Sequence, residues 1–201
     1  MDTKLRHSKR KSQRKSKYDG ADIINATGVL ISTRRKDTRI LFVIEKKKVD
    51  NLNLVGTPGG KINKRETPWD AFKREFGEEI SSPVPDISQD TTGNVASFVY
   101  GNTKIYYGEI NDSITFVKNN ETQGIILPRL QHVVDVITNN PDDRINITTS
   151  TFFNDKRKST DSKTYKTYRM RRCVAESLRA MIDKGIFNKY VTRSSSACII
   201  L

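Results

Sequence analysis

At 201 residues, with 35% apolar and 29% charged side chains, the chain can bury one core of about 150 residues plus tails, and a second independent domain is not expected. No apolar run approaches the ~20 residues of a membrane span and no signal peptide follows the basic N-terminus, so the sequence predicts an intracellular protein, cytoplasmic or nuclear. The two cysteines, Cys173 and Cys198, have no metal-ligand spacing, which argues against a disulfide framework or a zinc site.

The formal net charge of +13 is unevenly spread. Residues 1–20 carry eight Lys or Arg between Lys4 and Lys17 and almost nothing to bury, which predicts a disordered basic tail. Such a tail is a solubilising arm, a polyanion-binding arm or a nuclear localisation signal. Ala21–Ser32 and Thr38–Glu45 are apolar and rich in β-branched residues on either side of a polar turn, and predict an antiparallel hairpin. KKKVDNLN reads as a polar loop, and Leu54 and Val55 as a short strand delivering GTPGGKI to a site. Gly56, Gly59 and Gly60 allow close backbone approach to a ligand or a positive φ.

Thr67 as N-cap, Pro68 at the first helical position and Asp70 at the third predict a helix running to about Ile80. At 100° per residue, Trp69, Phe72, Phe76 and Ile80 form one apolar stripe, with Glu75, Glu78 and Glu79 beside it and Arg74 beyond. Like charges at this spacing repel by roughly a few tenths of a kcal/mol per pair unless something sits between them. A hard divalent cation reverses the sign, since Mg²⁺ and Mn²⁺ prefer carboxylate oxygens. The plainer reading of an acidic run is a solvated helix face.

A longer pattern decides between the two. Gly60, Glu66, Arg74, Glu75, Phe76, Glu78 and Glu79 stand in the register of G-x5-E-x7-R-E-U-x-E-E-x-G-U, where U is apolar, and the stretch resembles the signature of the Nudix hydrolase family. A chance match of its six fixed residues has odds on the order of one in a hundred thousand at average residue usage. The stretch departs from the pattern at its end, with Ser81 for the last glycine and Ser82 for the last apolar residue.

Past the helix, SSPVPD is a prolyl loop, and Asn94–Tyr100 with Thr103–Ile110 predict a hairpin turning at Gly101-Asn102. A strand at Ile114–Val117 and the polar segment KNNETQG follow, the latter carrying Glu121. Leu130, Val133, Val134 and Ile137 then have helical spacing. Residues 155–172 hold eight more Lys or Arg interleaved with Tyr165 and Tyr168, either a charged surface loop or a surface where basic groups meet phosphates and tyrosines stack on bases. Val174, Leu178, Met181 and Ile182 mark a helix over 168–187, stopped by Gly185, with Cys173 in its core face. His7 and His132 are near no nucleophile signature. The terminal Cys198-Ile199-Ile200-Leu201 resembles a prenylation box, which would add membrane contact.

The Nudix resemblance implies an α/β fold, an α/β/α sandwich with a mixed β-sheet, in a single domain over 21–190 between the basic tail at 1–20 and a flexible tail at 191–201. It implies hydrolysis of a diphosphate linkage in a nucleoside-diphosphate-linked substrate. Glu75, Glu78 and Glu79 would hold Mg²⁺ or Mn²⁺, and Glu75 or Glu79 would be the general base. Arg74 would orient a catalytic glutamate, Glu66 would brace the loop, and Gly59 and Gly60 would admit the diphosphate. Glu121 is a further base candidate, because a late-loop glutamate reaches the metals in some relatives; the plainer reading is an ordinary exposed glutamate. The basic segments 4–17 and 156–172 favour capped RNA as substrate, with diphosphoinositol polyphosphates or small nucleotides as alternatives. A weakly catalytic binding module with the same fold is the reading outside the enzyme class.

Overall fold

The computed structural model of the chain describes residues 22–33, 37–80, 87, 95–110, 116, 120–142, 144–153 and 159–195. The N-terminal tail, Ser81, Ser82, the expected strand at Ile114–Val117 apart from Phe116, Lys156 to Lys158 and Cys198 lie outside them.

Two sheets share the core. The first is mixed: β1 (Asn25–Ser32) runs parallel to β7 (Thr103–Ile110), which pairs antiparallel with β6 (Ser97–Tyr100). The other edge of β1 takes β2 (Arg39–Ile40) and β5 (Gly59–Lys61), both antiparallel. The second sheet closes on itself in the order β10 (Ser159–Met170), β4 (Leu52–Gly56), β3 (Phe42–Val49), β8 (Thr122–Ile126), β9 (Asn146–Phe153). The helices are α1 (Pro68–Ile80), α2 (Leu130–Asn139), α3 (Arg172–Asp183) and α4 (Asn188–Ser195).

The apolar runs GVLI and ILFVI are continuous because their strands are covered on both faces. From β1, Ala26 and Leu30 pack with Phe72 and Phe76 of α1, whereas Val29 and Ile31 join Phe42, Ile126, Val133 and Leu178 on the opposite side. β3 divides likewise, with Val43 toward α1 and Phe42 and Ile44 away from it. Helices therefore flank β-structure on both sides, as the sandwich expectation requires.

The stripe of α1 is buried at Phe72, Phe76 and Ile80, with Trp69 half-buried at its start. Trp69 and Phe72 lie 4.8 and 5.8 Å from the Tyr106 ring of β7. A Cβ on Gly28 would stand 2.4 Å from the Phe72 ring, so this aromatic occupies the hollow that a glycine leaves in β1. Thr67 caps α1 by accepting from the Asp70 N–H at 3.1 Å.

Several expectations change. Among the described residues the first hairpin pairs Ile31 with Ile40 and Ser32 with Arg39 before the chain crosses at Leu41 into the other sheet. Residues 38–40 turn instead to the segment entering α2: the Ile40 N–H donates to the Pro128 carbonyl at 3.1 Å and the Leu130 N–H to the Thr38 carbonyl at 2.9 Å. KKKVDNLN is a tight hairpin rather than a loop; Asp50 and Asn51, at φ 52° and 62°, make its turn, as Asx residues tolerate. Residues 159–170 of the expected basic loop form β10, with Tyr168 buried in the core and its hydroxyl pKa pushed up to about 12 by burial, so Tyr168 is no stacking platform. α3 consequently starts at Arg172, not Tyr168, and Cys173 is exposed. At the C-terminus α4 runs to Ser195, beyond the expected end of the domain, because Tyr190 is buried and Val191 packs on the core. The second hairpin, β6 with β7, forms as predicted.

Candidate active site

The loop before α1 is fastened to β1. The Thr27 hydroxyl donates to the Pro58 carbonyl at 2.7 Å, and the Gly28 N–H donates to the same oxygen at 2.9 Å. Gly59 sits at φ 144°, and a Cβ there would meet the Ala26 carbonyl oxygen at 2.3 Å. Its N–H donates to Glu79 Oε2 at 2.9 Å. At Gly60 a Cβ would fall 2.4 Å from the Glu75 carboxyl carbon. The two glycines thus admit, first, the backbone of β1 and, second, the Glu75 carboxylate. That is a reason for small residues distinct from close approach to substrate.

Arg74 is the hub on the loop side of α1. It donates from Nε to Glu66 Oε1 at 2.9 Å, from Nη2 to Glu66 Oε2 at 3.2 Å and to the Lys61 carbonyl at 2.9 Å, and from Nη1 to Glu75 at 2.7 Å and Glu78 at 3.0 Å. The hydrogen bonds to Glu66 and Glu75 hold the guanidinium pKa above its ordinary value. Glu66 is held below the usual carboxylate range by Arg74 and by the Asn63 N–H at 2.9 Å. This planar, multidentate geometry is one that a guanidinium makes and an ammonium cannot.

Glu79 faces the other way, into a cleft of about 800 Å³ lined by β1, β3 and β4, the β6–β7 turn and the start of α3. Loss of surrounding water pushes its pKa up to about 8; the Gly59 N–H opposes this, and the carboxylates of Glu75, Glu121 and Glu45 reinforce it. The Thr122 hydroxyl donates to the Glu79 carbonyl at 2.6 Å and ties β8 to the end of α1. Glu45 is paired with Arg171, whose Nη2 lies 2.7 Å from Oε2 and whose Nε contacts Oε1. The Arg171 N–H donates to the Val55 carbonyl at 3.0 Å, so the join between β10 and α3 is pinned beside the cleft.

Of the residues singled out in the sequence, Gly56, Gly59, Gly60, Glu79, Glu121 and Cys173 line this cleft. Glu75 meets it through Gly60, and Glu78 is turned out toward Arg74. Sequence reasoning missed Glu45, Arg171 and Thr122. Glu45 stood at the end of the expected strand, where an acid is unremarkable, and only the structure carries β3 past it; Arg171 was merged into the basic cluster. That cluster is partly neutralised, because Arg169 bonds Asn146 and Asp50, Arg171 bonds Glu45, and Arg172 bonds Glu176.

Among the described residues no three acidic, histidine or cysteine side chains are gathered as a metal cage. Arg74 holds Glu75 and Glu78, while Gly59 holds Glu79. The donor chemistry nevertheless suits a hard divalent ion: Glu75, Glu79, Glu45 and Glu121 are all oxygen donors, and their mutual repulsion at Glu79 is what a cation would relieve.

A glycine loop enters a helix that presents glutamates to a polar cleft, an oxygen-donor arrangement suited to a hard cation and the phosphate oxygens it binds. The chain belongs to the Nudix family: the model of the NUDIX domain matches residues 24–146. Nudix hydrolases work with divalent metal ions such as Mg²⁺. Among solved structures, the chain is similar to a MutT/nudix family protein from Enterococcus faecalis at 15% identity and TM-score 0.49, over 81% of this chain and 63% of that one. It is similar to a binary complex of a C. elegans Ap4A hydrolase at 16% identity and TM-score 0.45, over 55% of this chain and 83% of that one. The NUDIX domain of Shewanella oneidensis NrtR, complexed with ADP ribose, is 19% identical at TM-score 0.43, over 59% of this chain and 82% of that one. No curated protein matches the chain.

Proposed function

We propose that the chain hydrolyses a diphosphate linkage in a nucleoside-diphosphate-linked substrate, and that this substrate is the cap of RNA. The observation that carries the reaction class to this cleft is Glu79, drawn into it beside Gly59 and within electrostatic reach of Glu45, Glu75 and Glu121. Glu75 and Glu79, joined by Glu78 if it is released from Arg74, would hold Mg²⁺ or Mn²⁺, which when bound neutralises diphosphate charge and acidifies a water. The water oxygen forms the new bond to phosphorus, the bond to the bridging oxygen breaks, and Glu79 or Glu75 takes the water's proton. Arg74 is a positioning residue, fixing Glu75 against Gly60.

Two observations support a large polyanionic substrate. Net charge is +13, and the exposed Lys46 and Lys47 stand around the cleft that Glu79 enters. Cap cleavage would free a methylated nucleoside diphosphate. The test incubates the protein with Mg²⁺ or Mn²⁺ and, in parallel, cap-labelled RNA, diphosphoinositol polyphosphates and a nucleotide panel. Release of a labelled nucleoside diphosphate from RNA supports the reading. Preferred turnover of either other set replaces the substrate, and turnover of none favours the binding module.

A further inference from the structure

A second cleft, of about 440 Å³, shares no lining residue with the first. It is formed by Arg39 of β2, Arg129 and His132 at the start of α2, Thr148 and Ser150 of β9, and Tyr165 of β10. We propose that this cleft binds one nucleotide unit of single-stranded nucleic acid, phosphate toward Arg129 and His132 and base on Tyr165, independently of the diphosphate-cleaving site.

The two arginines are neighbours through an isolated antiparallel backbone bridge between β2 and the residue that caps α2. Arg39 is anchored, its Nη1 donating to the Leu127 carbonyl at 2.9 Å. Arg129 is 65% exposed and its known partner is Asp37, at 3.0 Å, which also lies 3.7 Å from Arg39. Asp37 is thus shared between the two guanidiniums at the mouth of the cleft. His132 Nε2 is buried and meets no hydrogen-bond partner among the described residues. A buried imidazole nitrogen left unmet is costly, and in a polar cavity a ligand oxygen or hydroxyl answers it. Thr148, bonded to Thr167 at 2.9 Å, and Ser150 add hydroxyls able to donate or accept.

Tyr165 selects the class of ligand. It is 70% exposed, whereas Tyr168, three residues on in the same strand, is buried. A large exposed ring beside cations and hydroxyls is the platform on which an unstacked base settles, a contact indifferent to base identity. The cavity has the volume of a nucleotide site. A paired duplex offers no free base face to the ring, which is why a single strand is the occupant.

The experiment titrates the full chain against a fluorescein-labelled oligouridylate with no diphosphate, read by anisotropy across a salt series. Tyr165→Ala should weaken binding roughly tenfold while Tyr165→Phe binds as the native protein does. Arg129→Ala should flatten the salt slope by about 0.7. Both side chains are exposed, so unchanged melting temperatures are expected and are checked. Glu79→Gln should bind the oligonucleotide like the native chain, which separates this site from the fate of the cap proposal. Native-like affinity in both Tyr165→Ala and Arg129→Ala overturns the proposal. So does equal affinity for a duplex of the same length, or loss of binding in Glu79→Gln.

Discussion

At Glu79 one carboxylate carries two opposed demands, since the Gly59 N–H favours its charge and the surrounding carboxylates with loss of water disfavour it. Its folded pKa, at about 8, lies above the ordinary carboxyl value of 4.5. A carboxyl whose folded pKa is raised stabilises the fold fully below the unfolded pKa and progressively loses that contribution as pH rises toward the folded one. Metal-free protein should therefore lose stability between about pH 4.5 and pH 8, at up to roughly 1.4 kcal/mol per pH unit from this group. Melting curves across that range should slope downward. Glu79→Gln should flatten them and abolish turnover, whereas a native slope or retained activity in the variant would sink the assignment. Gly60→Ala isolates position from charge: its Cβ needs the space 2.4 Å from the Glu75 carboxyl carbon. A fall in kcat of roughly a hundredfold is expected, since misplacing a catalytic group by about 1 Å costs on that order. Near-native kcat would show that Glu75 is not held where it is needed.

The element that positions these residues is α1, and its anchor is Phe72 between Gly28, Trp69 and Tyr106. Phe72→Ala should cost about 3–5 kcal/mol, measured by urea unfolding, because a buried ring leaves a cavity under a strand that cannot collapse into it. A loss below about 1 kcal/mol would mean that the helix is held mainly by its cap and the Arg74 hub. α1 was legible in the sequence to its last residue because every signal is local: Thr67 as cap, Pro68 at the first position, apolar residues on one stripe. β10 was not, because STDSKTYKTY is polar on both sides and is a strand only by pairing with β9. Starting α3 four residues early then placed Tyr168 on a helix and sent Cys173 to the wrong face. Glu45 and Arg171 escaped for a related reason: their pair joins positions 126 residues apart, and no local pattern announces it.

Across the whole molecule, the family match ends at Asn146, yet Tyr165 of β10 and Arg171, at the join of β10 with α3, lie beyond it. The shared domain supplies the glutamates, and the segment that closes the second sheet supplies a cation at the first cleft and an aromatic at the second. Basic charge is divided in the same way, because Arg169, Arg171 and Arg172 are paired internally while the eight Lys or Arg of residues 4–17 have sequence neighbours almost entirely polar. Sequence-independent attraction for a nucleic-acid substrate should then fall mainly to that N-terminal run. Each phosphate contact it makes to a single strand steepens the dependence of log affinity on log salt by about 0.7, so deleting residues 1–17 should flatten the slope for capped RNA by a multiple of that step. Hydrolysis of a short cap dinucleotide, which has no chain for the run to follow, should continue at the native rate. An unchanged slope for long RNA would remove the electrostatic argument for RNA as substrate while leaving Glu79 and its diphosphate chemistry untouched.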